Sequence, residues 1–218
     1  MFKQDCFVNK RFLVTGASSG IGAAVALELN ALGAEVIALA RDIKKLQSKK
    51  GLSLCRERFI PISKDINEFS GLDKYALSLA KEYGSFNGGV LSAGLQQIAP
   101  ISSMLSVKGG IPLFNVNYFG NLQILKGLLD KRARSAQGAS FVWISSIAGI
   151  KAQKGLANYS ATKAVIAATR SIALEIAPKY RINTISPGFV MTEMIESWAQ
   201  IYDNMIRSIL NLWIDLIR

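Results

Sequence analysis

A proton-transfer set and a phosphate-cradling turn stand in one chain of 218 residues: Ser146, Tyr159 and Lys163 follow the run Thr15-Gly16-Ala17-Ser18-Ser19-Gly20-Ile21-Gly22. Tyr159 and Lys163 are four positions apart, so a helix places both on one face. A nearby cation favours tyrosinate and draws a phenol down from its free pKa of about 10 towards working pH. Such a tyrosine can give a proton to a carbonyl undergoing reduction, or take one from an alcohol undergoing oxidation. Ser146, at a strand end, can hydrogen-bond the reacting oxygen, and Lys163 can also hold a ribose. Each residue alone has a plainer use. Tyr159 suits a satisfied core position, Lys163 can snorkel, and Ser146 can cap a helix.

The glycine turn follows the apolar residues Phe12, Leu13 and Val14 and opens a helix-length stretch in which Ala24, Leu27, Glu28 and Ala31 mark one predicted buried face. Gly16 suits a tight turn, Gly20 allows the backbone to approach a pyrophosphate, and Gly22 allows the helix to pack closely on a sheet. The spacing, G-x-x-x-G-x-G, is a variant of the common dinucleotide fingerprint, and a purely structural strand-to-helix turn would look similar. Cofactor preference should be set at the end of the second strand, where an NAD site places a carboxylate for the ribose 2′-hydroxyl. Here stand Ala40 and Arg41. A guanidinium there pairs with a 2′-phosphate, so NADP(H) is expected over NAD(H). Arg41 also reads as an ordinary solvent-facing helix start, and Asp42 beside it would weaken a phosphate site.

Half of the residues are apolar, which predicts one globular domain with a proper core and excludes a disordered tail protein. Histidine is absent and Cys6 and Cys55 lack metal-ligand spacing, so neither a zinc site nor a histidine base is expected. No run approaches the roughly 18 apolar residues of a membrane span. A cytoplasmic, reducing location is the default expectation. The net charge of +11 raises nucleic acid as a partner, but the basic residues are scattered and no stacking or finger motif accompanies them. Nucleic-acid binding is therefore not expected.

Strand-like runs at 12–14, 35–40, 59–62, 89–92, 140–144 and 181–185 alternate with predicted helices at 21–32, 68–83, 114–131 and 158–176. Strands with helical crossovers predict a doubly wound, Rossmann-like α/β fold, a parallel sheet with helices on both faces. The stretch 102–110 reads as loop, and Pro178 as a helix end.

The ordered motifs, TGASSGIG at 15–22, Asp65, SAG at 92–94, NVNYFG at 115–120, ISSIAG at 144–149, YSATK at 159–163 and SPGFVMT at 186–192, resemble the short-chain dehydrogenase/reductase family over roughly nine tenths of the chain. The resemblance implies catalysis by Asn117, Ser146, Tyr159 and Lys163, with Asn117 supporting a water linked to the lysine. It implies cofactor contacts from Gly16, Ser18, Ser19, Gly20, Ile21, Gly22, Arg41, Asp65, Ile66, Ser92, Ala93, Gly94, Tyr159, Lys163, Pro187, Gly188, Val190 and Thr192. Asp65 would lie near the adenine, Gly94 beside the nucleotide, and Pro187, Gly188 and Thr192 on the nicotinamide side. Leu91-Ser92 departs from the family, which more often has two asparagines there.

Family members continue into a seventh strand, whereas residues 191–218 read as a mostly helical substrate-side segment, so that strand is expected to be missing. The expected activity is hydride transfer between NADP(H) and a small hydrophobic carbonyl or secondary alcohol by a homodimer. The alternative is a catalytically inactive nucleotide-binding or interaction protein.

Overall fold

The computed structural model describes residues 3–102, 105–151 and 153–196. The chain divides into two compact units, Met1–Gly188 and Phe189–Arg218. The first contains the strands β1 (Arg11–Thr15), β2 (Glu35–Ala40), β3 (Phe59–Ser63), β4 (Gly88–Leu91), β5 (Ala139–Ile144) and β6 (Tyr180–Ile185). They form one parallel sheet in the order β3-β2-β1-β4-β5-β6. The order reverses between β1 and β4, and the crevice beyond the carboxyl ends of those strands is where such sheets bind ligands. Each observed strand lies within a residue of its predicted limits.

The crossovers are α1 (Gly20–Ala31), α2 (Ile43–Leu52), α3 (Leu72–Tyr83), α4 (Val107–Phe114), α5 (Asn121–Leu128), α6 (Ala157–Lys163) and α7 (Val165–Ile176). Strand residues alternate between two cores, as they must when both faces of a sheet are covered. Val14, Val36, Ala38 and Phe59 pack with Ala26 of α1 and Leu46 of α2. Leu13, Ile37, Leu39, Phe141 and Trp143 pack with Leu72, Ala76 and Leu79 of α3, Ile124 and Leu125 of α5 and Val165 of α7. The second unit contains α8 (Glu193–Glu196). The described sheet has six strands, the number expected; residues 197–218, where the helical substrate segment was expected to continue, lie outside the described residues.

Four helix expectations need correction. The helix expected over 68–83 starts only at Leu72, after Gly71, whose φ of 77° is not helical. The helix expected from 114 begins earlier, at Val107, where the side chain of Ser106 accepts from the Gly109 N–H at 3.0 Å. Gly109, Gly110 and Pro112 read as breakers, but a side-chain cap and burial of Gly110 and Leu113 outweigh them. It also widens into a π turn over Asn115–Gly120 before continuing as α5, which stops at Leu128 rather than Lys131. The helix expected over 158–176 is interrupted at Ala164, whose ψ of 23° separates α6 from α7. On α1 the buried face is Gly22, Ala23, Ala26 and Asn30, while Ala24 and Glu28 are exposed. Asn30 earns its buried place by bonding both the N–H and the carbonyl of Cys55, each at 2.9 Å. A short polar side chain that satisfies a neighbouring backbone can occupy a core position that periodicity assigns to an apolar one.

Candidate active site

The glycine turn sits at the carboxyl end of β1. Gly16 and Gly20 have φ of 68° and 51°, a left-handed region that disfavours residues with a Cβ. At Gly16 a Cβ would also lie 2.8 Å from the Ala93 Cα, and at Gly22 it would lie 2.3 Å from the Gly16 carbonyl oxygen. Turn, helix start and the segment after β4 are thus in backbone contact. Ser19 precedes α1 without a side-chain cap, and no acidic residue occupies the helix's first turn. The unfilled N–H end of a helix and the glycine cradle together suit the pyrophosphate of a dinucleotide.

A buried polar bolt fixes that cradle. The Thr15 hydroxyl donates to Asn121 Oδ1 at 2.8 Å and accepts from the N–H groups of Ser92 and Ala93, both at 3.0 Å. Asn121 Nδ2 donates to the carbonyls of Ala93 and Val116, each at 2.9 Å. The turn after β1 and the segment after β4 are therefore bridged by an asparagine on α5. Sequence reading missed Asn121 and gave Thr15 no role; the available signal was the repeat of asparagine four positions after Asn117, on the same helix face.

At the end of β2, Ala40 is followed by an exposed Arg41, whose carbonyl accepts from the Ser63 hydroxyl at 2.8 Å. Asp42 caps α2: its Oδ1 accepts from the N–H groups of Lys44 and Lys45 at 2.9 and 3.1 Å. Asp65 is exposed and caps the turn at Asn67 through a 2.8 Å bond. Ile66 is buried, and its carbonyl lies 2.4 Å from where a Cβ on Gly120 would sit, so the adenine-side loop presses on the π turn. Ser18, Ser19 and Ile21 are half-buried along the cradle.

Tyr159 and Lys163 are buried on α6, and the lysine ammonium lies 5.8 Å from the tyrosine ring centroid. Lys163 Nζ donates to the Ile144 carbonyl at 3.1 Å, while the Ser145 hydroxyl donates to the Lys163 carbonyl. Burial lowers the lysine to about 8. It therefore carries its charge at neutral pH and lies within reach of losing it above. Ser146, two residues past the carbonyl that holds the lysine, accepts from the Ala148 N–H at 3.1 Å, which leaves its own proton to donate. A Cβ on Gly94 would lie 3.2 Å from Lys163 Nζ and 3.5 Å from Asn117 Oδ1, so this glycine keeps open the space that both border. Leu113, Ala148 and Leu156 form a small apolar core with Tyr159, with Leu95 and Ile98 against it.

The structure thus brings Tyr159, Lys163, Asn117 and Gly94 together, and Gly16, Gly22, Ser92 and Ala93 together. Pro187 accepts from the Ile147 N–H at 2.9 Å, beside Ser146, and Gly188 is exposed. Val190 and Thr192 belong to the second unit, in which the Thr192 carbonyl accepts from the Ile195 N–H at 2.8 Å. Among the described residues, no group of three His, Cys, Asp or Glu side chains is placed to hold a metal, and no helix is long and apolar enough to cross a membrane.

Comparison with known proteins agrees with this geometry. The L-xylulose reductase of Caenorhabditis elegans is 34% identical over 202 residues, covering 88% of this chain and 77% of that protein. A 3-oxoacyl-acyl-carrier-protein reductase of Thermotoga maritima is 32% identical over 197 residues, covering 86% and 77%. Among solved structures, a short-chain dehydrogenase/reductase of Brucella melitensis superposes with a TM-score of 0.84 at 28% identity, over 92% of this chain and 80% of that one. A short-chain dehydrogenase of Shigella flexneri complexed with NADP gives 0.79 at 27%, over 89% and 83%. The sequence profile described as short chain dehydrogenase matches residues 10–203, and the chain belongs to that family of oxidoreductases.

Proposed function

We propose that the protein transfers a hydride between NADP(H) and a small hydrophobic carbonyl or secondary alcohol, with Tyr159 as acid and base. The observation that carries this reading is the buried Tyr159–Lys163 pair, with the lysine ammonium anchored at 3.1 Å on the Ile144 carbonyl. Bound NADPH would supply the hydride to the carbonyl carbon. In that reduction Tyr159 gives its proton to the carbonyl oxygen, and the Ser146 hydroxyl donates a hydrogen bond to the same atom. In the reverse direction Tyr159 takes the hydroxyl proton of the alcohol. The charge on Lys163 favours a tyrosine that has lost its proton. Asn117, whose amide joins the Leu95 backbone to Thr162, supports a water linked to the lysine.

In this reading Gly16, Ser18, Ser19, Gly20, Ile21 and Gly22 hold the pyrophosphate, Asp65 and Ile66 border the adenine, and Ser92, Ala93 and Gly94 line the ribose side with Lys163. Pro187 and Gly188 take the nicotinamide side, Val190 and Thr192 carry over from the family motif at 186–192, and the chain is read as a single catalytic domain. Arg41 selects NADP(H): it is exposed where β2 ends and Asp42 is engaged with α2, and one structural relative is complexed with NADP. Hydrophobic carbonyls are favoured over carboxylated ones, in keeping with the apolar core against which Tyr159 packs and the absence, among the described residues, of a cationic side chain from that cluster. A homodimer is favoured by the exposed small residues Ala161, Ala164 and Ala167 and by Leu174, 85% exposed on α7.

The decisive experiment follows cofactor absorbance with matched aliphatic, aromatic and carboxylated ketones, aldehydes, quinones and secondary alcohols, using Tyr159→Phe as control. Turnover that depends on Tyr159 and favours the uncharged members is expected; unchanged turnover in Tyr159→Phe refutes the acid/base role. Cofactor binding without turnover across the panel points instead to a nucleotide-binding protein that is not an enzyme. NADPH should bind more tightly than NADH, and Arg41→Ala should weaken NADPH alone. Equal affinities sink the cofactor assignment. Sedimentation showing monomer alone across micromolar concentrations rejects the dimer.

A further inference from the structure

We propose that Thr162 is a positioning residue of this site: its buried hydroxyl bolts the Asn117 side chain to the helix that carries Tyr159 and Lys163. This rests on the acid/base reading above.

An asparagine amide has two N–H donors and a carbonyl oxygen with two lone pairs. Both donors and one lone pair are engaged at Asn117. Nδ2 donates to the Leu95 carbonyl and to the Thr162 hydroxyl, each at 2.9 Å, and Oδ1 accepts from the Leu95 N–H at 2.7 Å. Thr162 in turn donates its own proton to the Tyr159 carbonyl at 2.7 Å. Both residues are 1% exposed, so bulk solvent does not stand in for a lost partner. The hydroxyl thus ties the π turn to α6, and the Asn117 amide extends the link to the segment after β4.

The consequence falls on chemistry rather than on folding. Without the hydroxyl, one N–H of Asn117 is buried without an acceptor and the side chain is no longer tied to α6. The two bonds to the Leu95 backbone still hold the amide and the π turn in place. Asn117 Oδ1 and Lys163 Nζ border the same space over Gly94, so loosening α6 from Asn117 changes how the lysine stands against that oxygen. Threonine at 162 is adjacent to Lys163 and therefore cannot share its helix face, which is why it looks like a bystander in sequence.

The test compares Thr162→Val, which keeps the shape and removes the hydroxyl, with Thr162→Ser, which keeps the hydroxyl. The readouts are kcat on the best ketone of the panel and NADPH affinity by fluorescence titration. Thr162→Val is expected to lose about tenfold in kcat with NADPH affinity within about twofold of wild type, and Thr162→Ser to recover most of that loss. Wild-type kcat in Thr162→Val, or equal losses in the two variants, overturns the proposal. Parallel loss of kcat and NADPH binding also overturns it, since that marks general damage to the fold. Tyr159→Phe separates the levels: if it is inactive while Thr162→Val is fully active, this inference alone fails. If Tyr159→Phe keeps wild-type turnover, or the wild type turns over nothing, the acid/base reading fails and takes the inference with it.

Discussion

Replacing Thr15 by valine keeps the shape of a β1 residue that is 1% exposed and removes the hydroxyl at the centre of the cradle's polar bolt. Three hydrogen bonds go at once: one to Asn121 Oδ1 and two from the Ser92 and Ala93 N–H groups. At about 1 kcal/mol each, and with the added methyl returning somewhat under 1 kcal/mol of burial, the net cost is about 2–3 kcal/mol. For a chain of this size that lowers the melting temperature by roughly 5–10 °C. Asn121 still holds the Ala93 and Val116 carbonyls, so the sheet should persist while the Ser92–Ala93 segment loosens. Thermal melts followed by circular dichroism, paired with NADPH titration, separate the two effects. Thr15→Ser keeps the hydroxyl and should retain most of the stability. If Thr15→Val melts within about 2 °C of wild type, the three bonds do not stabilise the fold as argued.

Gly22→Ala places a Cβ 2.3 Å from the Gly16 carbonyl oxygen and 2.8 Å from its carbon, backbone atoms that cannot swing aside. Overpacking of this kind costs about 1–3 kcal/mol, more than the helical gain of roughly 1 kcal/mol offsets, and NADPH affinity should fall with the melting temperature. At Gly51 nothing beyond its chain neighbours and its own helix backbone lies within 4 Å of an added Cβ, so Gly51→Ala should raise the melting temperature slightly; a fall in this control would contradict the packing. Lys163 tests electrostatics, because burial lowers it from 10.5 to about 8. Below pH 8 both folded and unfolded chains carry the proton and the folded one bears the cost of the buried charge, about 3 kcal/mol. Between pH 8 and 10.5 the unfolded chain binds more protons, so wild-type stability gains with rising pH. Lys163→Met, which has no such charge, should therefore melt above wild type by a margin that narrows from pH 7 to pH 10, and a margin independent of pH would contradict the buried charge.

Strand positions were legible because β1 to β5 are short, mainly apolar runs and β6 alternates buried and exposed residues, and 35–40 matches β2 residue for residue. The order of the sheet followed from the βαβ alternation. Helix limits were less legible where a side chain decided them: the Ser106 cap starts α4 ahead of Pro112, and Ala164 divides a stretch whose residues all suit a helix. The buried face of α1 was misread because nearly every position from 20 to 31 is apolar or small, so periodicity could not choose among them. In the site, Tyr159, Lys163 and the glycines were readable as residues with a chemical purpose and a characteristic spacing. Thr15, Asn121 and Thr162 were not, because their purpose lies in bonds to residues 28 to 106 positions away. Pairings at such separations arise only from the fold.

The most direct measurement of the central claim is the fate of deuterium from NADPH labelled at both hydrogens of the nicotinamide C4. Incubated with this protein and an uncharged ketone that it reduces, the labelled cofactor should pass one deuterium to the carbinol carbon of the product, read by mass spectrometry, and Tyr159→Phe should abolish the transfer. Oxidation of NADPH that leaves the alcohol carbon unlabelled, or transfer that proceeds undiminished without the Tyr159 hydroxyl, would contradict it.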